Sequence, residues 1–292
     1  MIKRALRGSV RRARRWLAES QQLDRRAPDF SRDDSIYPFL NWHFGQIRRD
    51  RRCGQKPGYI FGVLHGAHLA KALGLDRVSV IEFGVAGGNG LIALEAISET
   101  VERVLGVGID VYGFDTGAGL PPPKDYRDLP NLYADGNFPM DPEPLRARLR
   151  RARLVLGAVD DTIDDFVKSR PAPVAFVSID LDFYSSTMDA FRLFEADAVR
   201  LLPRVHCYMD DILGFTCSEF NGERLAISEF NATHEARKIS PIFGLRWFVA
   251  ADQRDEMWVE KMYLTHFFDH ELYGRHDGLS RHQTIRSTDL AA

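Results

Sequence analysis

The chain has 292 residues, of which 45% are hydrophobic, and a formal net charge of −2. This length and apolar content are enough to bury a full core, and they fit one large α/β domain with appendages. Three cysteines without metal-binding spacing are too few for a disulfide framework, and no apolar run reaches the length of a membrane span, so we expect a cytoplasmic protein.

Residues 1–26 form a basic arm. They carry nine Lys or Arg and two acidic residues, a local charge of +7, which leaves −9 on the rest of the chain. An acidic body argues against a nucleic-acid substrate, because phosphate binding needs a basic surface. Apolar residues recur at helical spacing along the arm, which predicts a helix that docks on its own domain or on a subunit of a homo-oligomer. Docking on an anionic membrane surface is the less favoured alternative.

A helix from Tyr59 to Leu73 is predicted after an irregular, aromatic stretch at residues 28–57. His65 and His68 lie three residues apart on this helix. Because no third ligand lies nearby in the sequence, packing or polar contacts are favoured over metal binding for this pair.

A glycine-rich turn follows the first predicted strand. The strand ends in Glu82, the turn spans residues 84–90, and a helical apolar pattern begins at Leu91. Glycines let a ligand approach the backbone closely, and the following helix N-terminus favours an anionic group. The spacing matches neither a P-loop nor a regular dinucleotide-binding motif, which argues against an ATPase or a conventional dinucleotide enzyme. Glu82, Gly84 and Gly88 are the candidate cofactor residues.

The second predicted strand, residues 111–116, also has an acid at its end, Asp115. In open α/β folds a carboxylate at the end of the second strand binds the ribose hydroxyls of a ligand. The following segment, Thr116 to Pro144, holds seven of the fourteen prolines and is predicted to be irregular. Its apolar residues favour a lid over the site, with a surface loop as the alternative. The third predicted strand, residues 153–157, leads into a helix that Asp160 or Asp161 can cap.

Two acidic clusters follow the next two apolar, strand-like runs. The runs are residues 173–178 and 204–208, and the clusters are Asp180 with Asp182 and Asp210 with Asp211. The segment between the clusters is predicted to be a helix, capped by Ser186 with Asp189 and continuing through Leu201. Both clusters should therefore emerge at one edge of a parallel sheet. Grouped carboxylates repel one another unless a cation neutralises them, and hard oxygen ligands suit Mg²⁺.

Together these motifs resemble the macrocin O-methyltransferase family, whose members are class I S-adenosylmethionine-dependent enzymes. The resemblance covers roughly Tyr59 to Glu235, and it rests on Glu82-x-Gly84, Phe114-Asp115-Thr116 with Gly119-Leu120-Pro121, the Ile179–Thr187 block and Asp210-Asp211. It implies S-adenosylmethionine and Mg²⁺ as cofactors, with Asp180, Asp210 and Asp211 as the metal ligands. In such folds the turn after the third strand borders the adenine, so Asp160 or Asp161 is a candidate acceptor for the adenine amino group.

The end of the chain is predicted to close the sheet. A helix at residues 221–234 precedes two strands, residues 242–249 and 258–267, which match the closing hairpin of class I methyltransferases. We therefore predict an α/β, Rossmann-like, doubly wound fold with a mostly parallel seven-stranded sheet, an antiparallel closing hairpin and an N-terminal helical extension. The predicted divisions are the extension at residues 1–58, the methyltransferase domain at residues 59–270 and a C-terminal tail at residues 271–292.

The implied reaction is methyl transfer to a hydroxyl of a small molecule, such as a sugar or a natural product. A neutral alcohol is a poor nucleophile, and a divalent ion both lowers the pKa of a bound hydroxyl and orients it. In the related catechol-type enzymes a lysine follows the first acidic cluster, but here Phe183 stands there. Asp180 and Asp182 are the candidate catalytic carboxylates. Asp182 is expected to bind the metal, act as the base or hold a nearby water, with His206 or His234 as alternative bases.

Three other functions compete with this interpretation. A phosphohydrolase of the haloacid dehalogenase type needs D-x-D-x-T, but Tyr184 replaces the threonine. A metal-dependent glycosyltransferase with a D-x-D motif leaves the glycine turn unexplained. A non-catalytic cofactor-binding module, with the basic arm as its working surface, retains the fold without the chemistry.

Overall fold

The computed structural model of the protein describes residues 28–29 and 36–275. The chain divides into two units, residues 1–34 and 35–292. The predicted helix of the basic arm lies outside the described residues. In the part of the chain that is described, no helix has both the length and the apolar character that crossing a membrane requires.

A seven-stranded sheet forms the centre of the unit. Its strands, in chain order, are β1 (Arg77–Phe83), β2 (Gly108–Asp115), β3 (Arg153–Leu156), β4 (Val174–Ile179), β5 (Leu201–Met209), β6 (Arg237–Pro241) and β7 (Met262–Phe267). The spatial order is β3-β2-β1-β4-β5-β7-β6, and only β7 runs antiparallel to its neighbours. This order confirms the predicted Rossmann-like sheet with its antiparallel closing hairpin.

Helices flank the sheet in two groups. Seven α-helices lie within residues 36–275: α1 (Tyr37–Arg48), α2 (Pro57–Ala72), α3 (Asn89–Leu105), α4 (Pro142–Arg148), α5 (Val159–Lys168), α6 (Tyr184–Phe191) and α7 (Gly222–Thr233). Helix α2 packs on β4 and β5 beside α1 and α3, while α5, α6 and α7 pack side by side. All six residues of β4 are buried, as expected for a parallel strand that is covered on both faces.

Three predicted elements differ from the structure. Residues 28–57 are not irregular throughout, because α1 buries Leu40, Phe44 and Ile47 in the same core as the sheet. The helix after the first acidic cluster ends at Phe191, and two 3-10 turns then lead to β5 at Leu201.

The outer strand of the closing hairpin also lies earlier than predicted. It is β6, Arg237–Pro241, whereas the apolar run at residues 242–249 turns back on itself. Gly244 adopts a φ of +74° there, and a 3-10 turn at Leu245–Trp247 follows it. This left-handed backbone conformation interrupts the extended geometry that a strand requires.

The N-terminus of α6 is held by a residue far away in the sequence, which the predicted Ser186–Asp189 capping box did not anticipate. No side chain at the N-cap residue, Phe183, bonds to the helix. Instead the buried Asp128 carboxylate accepts hydrogen bonds from the Ser185 backbone N–H (2.8 Å) and hydroxyl (3.0 Å), and from the Lys124 N–H (2.8 Å). The proline-rich segment is thereby tied to the first turn of α6.

Replacing Asp128 with Ala should lower the free energy of unfolding by about 1–3 kcal/mol, because it removes a buried carboxylate that accepts three hydrogen bonds and leaves partly buried donors without an acceptor. Urea unfolding would measure the change. Asp125→Ala is the matched control, because that exposed carboxylate bonds only to Arg127 and its loss should leave stability nearly unchanged. An equal effect of the two substitutions would contradict the bracing role of Asp128.

Candidate active site

A cavity of about 660 Å³ opens where the carboxyl ends of β1, β2, β4 and β5 meet. The glycine turn, the proline-rich segment and both acidic clusters contribute to its wall. Eight acidic residues line it: Glu82, Asp115, Asp160, Asp180, Asp182, Asp189, Asp210 and Asp211. The described lining contains two lysines, Lys56 and Lys124. A wall of this charge attracts cationic groups and repels anionic ones.

The Asp115 carboxylate holds the glycine turn in place. One of its oxygens accepts hydrogen bonds from the backbone N–H groups of Val85 and Ala86, both at 2.9 Å. The other accepts from the Gly117 N–H at 2.7 Å. Each carboxylate oxygen has two lone pairs, so Asp115 retains acceptor capacity towards the cavity while it shapes the turn.

Glu82 lies buried at the end of β1. Its Oε1 accepts a hydrogen bond from the Tyr59 hydroxyl (2.7 Å), which in turn accepts one from the Ser178 hydroxyl (2.8 Å). Its Oε2 has no partner among the described residues. Burial raises the pKa of Glu82 to about 7, so a cationic group beside it would restore the carboxylate.

The glycines of the turn serve close packing within the protein. A side chain at Gly84, whose φ is +81°, would overlap the carbonyl oxygen of Asp180 on the neighbouring strand. A side chain at Gly90 would overlap the Glu82 carboxylate. Gly88 starts α3 with a φ of +79°. All four of these glycines line the cavity, and Gly87 differs from the other three because a Cβ added there would meet no other atom within 4 Å.

The two acidic clusters converge as predicted. Asp180, Asp210 and Asp211 each offer a carboxylate oxygen within 4.8 Å of the others. Burial, together with Asp210, raises the pKa of Asp180 well above its usual range and that of Asp211 to about 6. Carboxylates that repel one another at this spacing form the hard oxygen donor set that a divalent cation such as Mg²⁺ prefers, and the three residues fit such an ion. We call these residues the aspartate triad.

The triad is held by groups from four parts of the chain. Lys261 donates to Asp210 (3.0 Å), while Asp211 accepts from the Asp182 N–H (2.9 Å) and the Tyr133 hydroxyl (3.2 Å). The Asp211 N–H in turn donates to Glu223 (3.1 Å), a fully buried carboxylate on α7. The sequence motifs did not identify these partners of the triad, which are Lys261, Tyr133 and Glu223.

The proline-rich segment folds down on the cavity. Tyr133 bonds to the triad, and Phe138 lines the cavity wall. The Tyr133 ring also packs edge-on against Phe183, with the ring centroids 6.2 Å apart. These contacts favour the lid interpretation over a free surface loop.

Asp182 lines the cavity beside the triad, with a left-handed backbone φ of +60°. Burial and the neighbouring Asp211 raise its pKa to about 7. A side chain that faces the cavity with this pKa can accept a proton near neutral pH.

Not every candidate cofactor acid lies in the cavity. Asp160 lines the wall and forms an ion pair with Arg192. Asp161 lies instead in a shallow surface depression with Tyr112 and Arg153. Neither acid caps α5, whose N-cap is Ala158.

His206 is not part of the cavity wall, so the structure does not bring it together with the other candidate catalytic residues. It lies inside β5, opposite Phe176 in the sheet, three residues before the strand ends. Its ring lies 6.1 Å from Phe61 and 5.8 Å from His65, centroid to centroid, both on α2. His206 therefore belongs to the packed layer between sheet and helix. His65 stacks on Phe61 in the same layer, as the packing interpretation predicted.

His234, the alternative base, also lies outside the cavity wall. Its ring stacks on Phe230 with centroids 4.1 Å apart, and its Nε2 lies 3.5 Å from Glu195. Of the candidate bases, Asp182 alone faces the cavity.

No protein-family model and no curated protein matches the sequence. Similar solved structures include the O-methyltransferase NovP, at 16% identity over 60% of this chain and 72% of that one, with a TM-score of 0.46. The calicheamicin methyltransferase CalS11 is 19% identical over 70% and 88% of the two chains, with a TM-score of 0.47. Cofactor-bound Rv0187 from MTB is 13% identical over 86% of this chain and 95% of that one, with a TM-score of 0.40.

NovP and CalS11 are methyltransferases, the class that the sequence motifs resemble. At such identities and TM-scores a likeness says nothing about chemistry. The strand order itself defines the fold. Function is inferred from the residues and geometry of the cavity, because one fold can support many functions.

Acidification should destabilise the protein partly through His206. Burial lowers the pKa of His206 from 6.5 to about 3, so below pH 6.5 the unfolded chain binds a proton that the folded chain excludes. The contribution of the neutral ring is complete above pH 6.5 and is lost as the pH falls towards 3, with a slope approaching about 1.4 kcal/mol per pH unit. In urea unfolding between pH 7 and 5, His206→Gln should show a shallower slope than the unsubstituted chain. Identical slopes would contradict burial of a neutral His206.

Proposed function

We propose that the chain is an S-adenosylmethionine-dependent O-methyltransferase that uses a divalent cation and methylates a hydroxyl of a small molecule, such as a sugar or a natural product. The observation that carries this proposal is the joining of the glycine turn and the aspartate triad in one cavity. The wall suits a sulfonium cofactor and a metal ion, because it contains eight acidic residues and only two lysines among the described residues.

The cofactor is proposed to lie along the turn. Its adenosine would face Asp115 and Asp160, and its amino-acid portion would face Glu82. Helix α3 begins at Asn89 with no acidic residue in its first turn, so its N-terminus adds positive potential beside the acids.

The acceptor is proposed to bind at the aspartate triad. A divalent ion held by the triad would lower the pKa of a coordinated hydroxyl and fix its orientation. Asp182 would take up the hydroxyl proton, since it faces the cavity beside Asp211. Tyr133, in the lid, would position Asp211 and exclude water from the reacting groups.

The competing functions fit the cavity less well. A phosphohydrolase or a glycosyltransferase that uses nucleotide sugars would bring phosphate groups to a wall of eight acids. Neither of these two functions gives a role to the glycine turn or to the Asp115 carboxylate that bonds to it. The setting is proposed to be a reducing cytosol, where the free thiols of Cys53, Cys207 and Cys217 would persist.

Cofactor binding should be lost when the cavity is filled at Gly87. Gly84 is a poor site for this test, because a side chain there collides with Asp180. Gly87→Val should weaken S-adenosylmethionine binding by at least about tenfold, since the added side chain occupies ligand space at no cost in packing. Isothermal titration would measure the affinity. Gly45→Val on α1, where a Cβ also meets nothing, is the control. Undiminished affinity in the Gly87 variant would refute the placement of the cofactor.

Metal binding should depend on the aspartate triad. Asp180→Asn should weaken Mn²⁺ or Mg²⁺ binding by at least about 100-fold, more than the loss of an outer partner usually causes. The metal-free variant should unfold at the same temperature as the unsubstituted chain or higher, because one of three mutually repelling charges is gone. Calorimetric titration and thermal unfolding give the two readouts. Asp189→Asn, in the same wall but outside the triad, should retain the metal. Equal losses in both variants would contradict the assignment.

A further inference from the structure

Lys56 is a cation at the active-site cavity that forms no ion pair with any described residue. It is half-buried and lines the cavity just before α2 begins. Its ammonium group lies 5.0 Å from the centroid of the Tyr59 ring. Among residues 36–275, no carboxylate oxygen lies within the 4.0 Å of an ion pair with it. In a wall with eight acids, this lysine is available for an anionic group of a ligand.

The neighbours of Lys56 show which side of the cavity it lines. The Tyr59 ring beneath it donates its hydroxyl hydrogen bond to Glu82. Burial raises the pKa of Glu82 and of Asp180, and the nearby Lys56 charge opposes that rise at both acids. Lys56 therefore faces the β1 and β4 side of the cavity, where the turn and the triad meet.

The chemistry of the proposed cofactor places its carboxylate near this side. The sulfur of S-adenosylmethionine carries three groups: the transferred methyl, the adenosine and the aminobutyrate. The methyl must point at an acceptor held by the triad, and Asp115 and Asp160 mark the adenosine side. The aminobutyrate would then extend past Glu82, and its carboxylate would need a cation in an otherwise acidic wall.

We propose that Lys56 pairs with the α-carboxylate of the cofactor while Glu82 accepts its α-ammonium group. This inference rests on the function proposed above. Helix α2 supports it, since its 16 residues begin at Pro57 with no acid in the first turn and no side-chain cap. The positive end of the helix dipole thus lies next to Lys56 and favours an anion.

Lys124 is the only other cation among the described lining residues, and it is placed for a different task. It is exposed and lies in the lid, where its backbone N–H bonds to Asp128. Its charge acts on Asp189, in the part of the wall that α6 contributes. Lys124 is therefore the matched control for Lys56.

The test compares two ligands that differ only in the carboxylate. S-adenosylhomocysteine carries it, and its decarboxylated analogue, 5′-deoxy-5′-(3-aminopropylthio)adenosine, lacks it. Isothermal titration of the full chain should show that Lys56→Met weakens binding of S-adenosylhomocysteine by about 10- to 100-fold, the range of a hydrogen bond to a charged group. Binding of the analogue should change less than about twofold.

Two further variants complete the experiment. Lys56→Arg should retain most of the preference for the carboxylate ligand, because it keeps a cationic donor. Lys124→Met should leave the ratio of the two affinities unchanged. If Lys56→Met weakens both ligands equally or neither, the pairing is wrong while the cofactor assignment stands. If the unsubstituted chain binds neither ligand, the proposed function itself fails.

Discussion

The concentration of negative charge in one half-closed cavity governs how the site is built and what it can bind. Eight carboxylates share a space of about 660 Å³, and burial with mutual repulsion raises the pKa of Asp180, Asp182 and Asp211. Carboxylates in such a position are either protonated or neutralised by cations. The protein supplies one direct cation to the triad, Lys261. The remaining charge explains why the cavity suits cationic ligands.

The contacts that build the fold also shape this cavity. Gly84 lets β1 and β4 approach so closely that the Asp180 carbonyl fills the space of a side chain. Asp115 fixes the turn through backbone donors, and Asp128 ties the lid to α6. Since these residues connect strand ends to loops, a change in one of them alters the site and the stability together.

The sequence predicted best those features that depend on local pattern. Continuous apolar runs ending in acids identified β1, β4 and β5, because parallel strands covered on both faces are apolar throughout. The convergence of Asp180 with Asp210 followed from the strand-helix-strand order. The helix α1 was missed although its buried residues recur at helical spacing, since the aromatic residues around them obscured the pattern.

Contacts between distant parts of the chain could not be predicted in the same way. Lys56, Tyr133 and Glu223 reach the site from a helix N-terminus, a lid and α7, and no local pattern connects them with the acids. The only signal for Glu223 was an acid in the first turn of a predicted helix, which is common without any function. The position of His206 outside the cavity wall was not predicted, because its depth in β5 and its orientation towards α2 depend on sheet register.

We propose that a methyl-bearing sulfonium and a divalent cation occupy one cavity. The decisive measurement is the paramagnetic relaxation of ¹³C-methyl-labelled S-adenosylmethionine by Mn²⁺ bound to the full chain. Strong broadening of the methyl resonance is expected, reversed when excess Mg²⁺ displaces the Mn²⁺. A methyl resonance of protein-bound cofactor that Mn²⁺ leaves unchanged would contradict it.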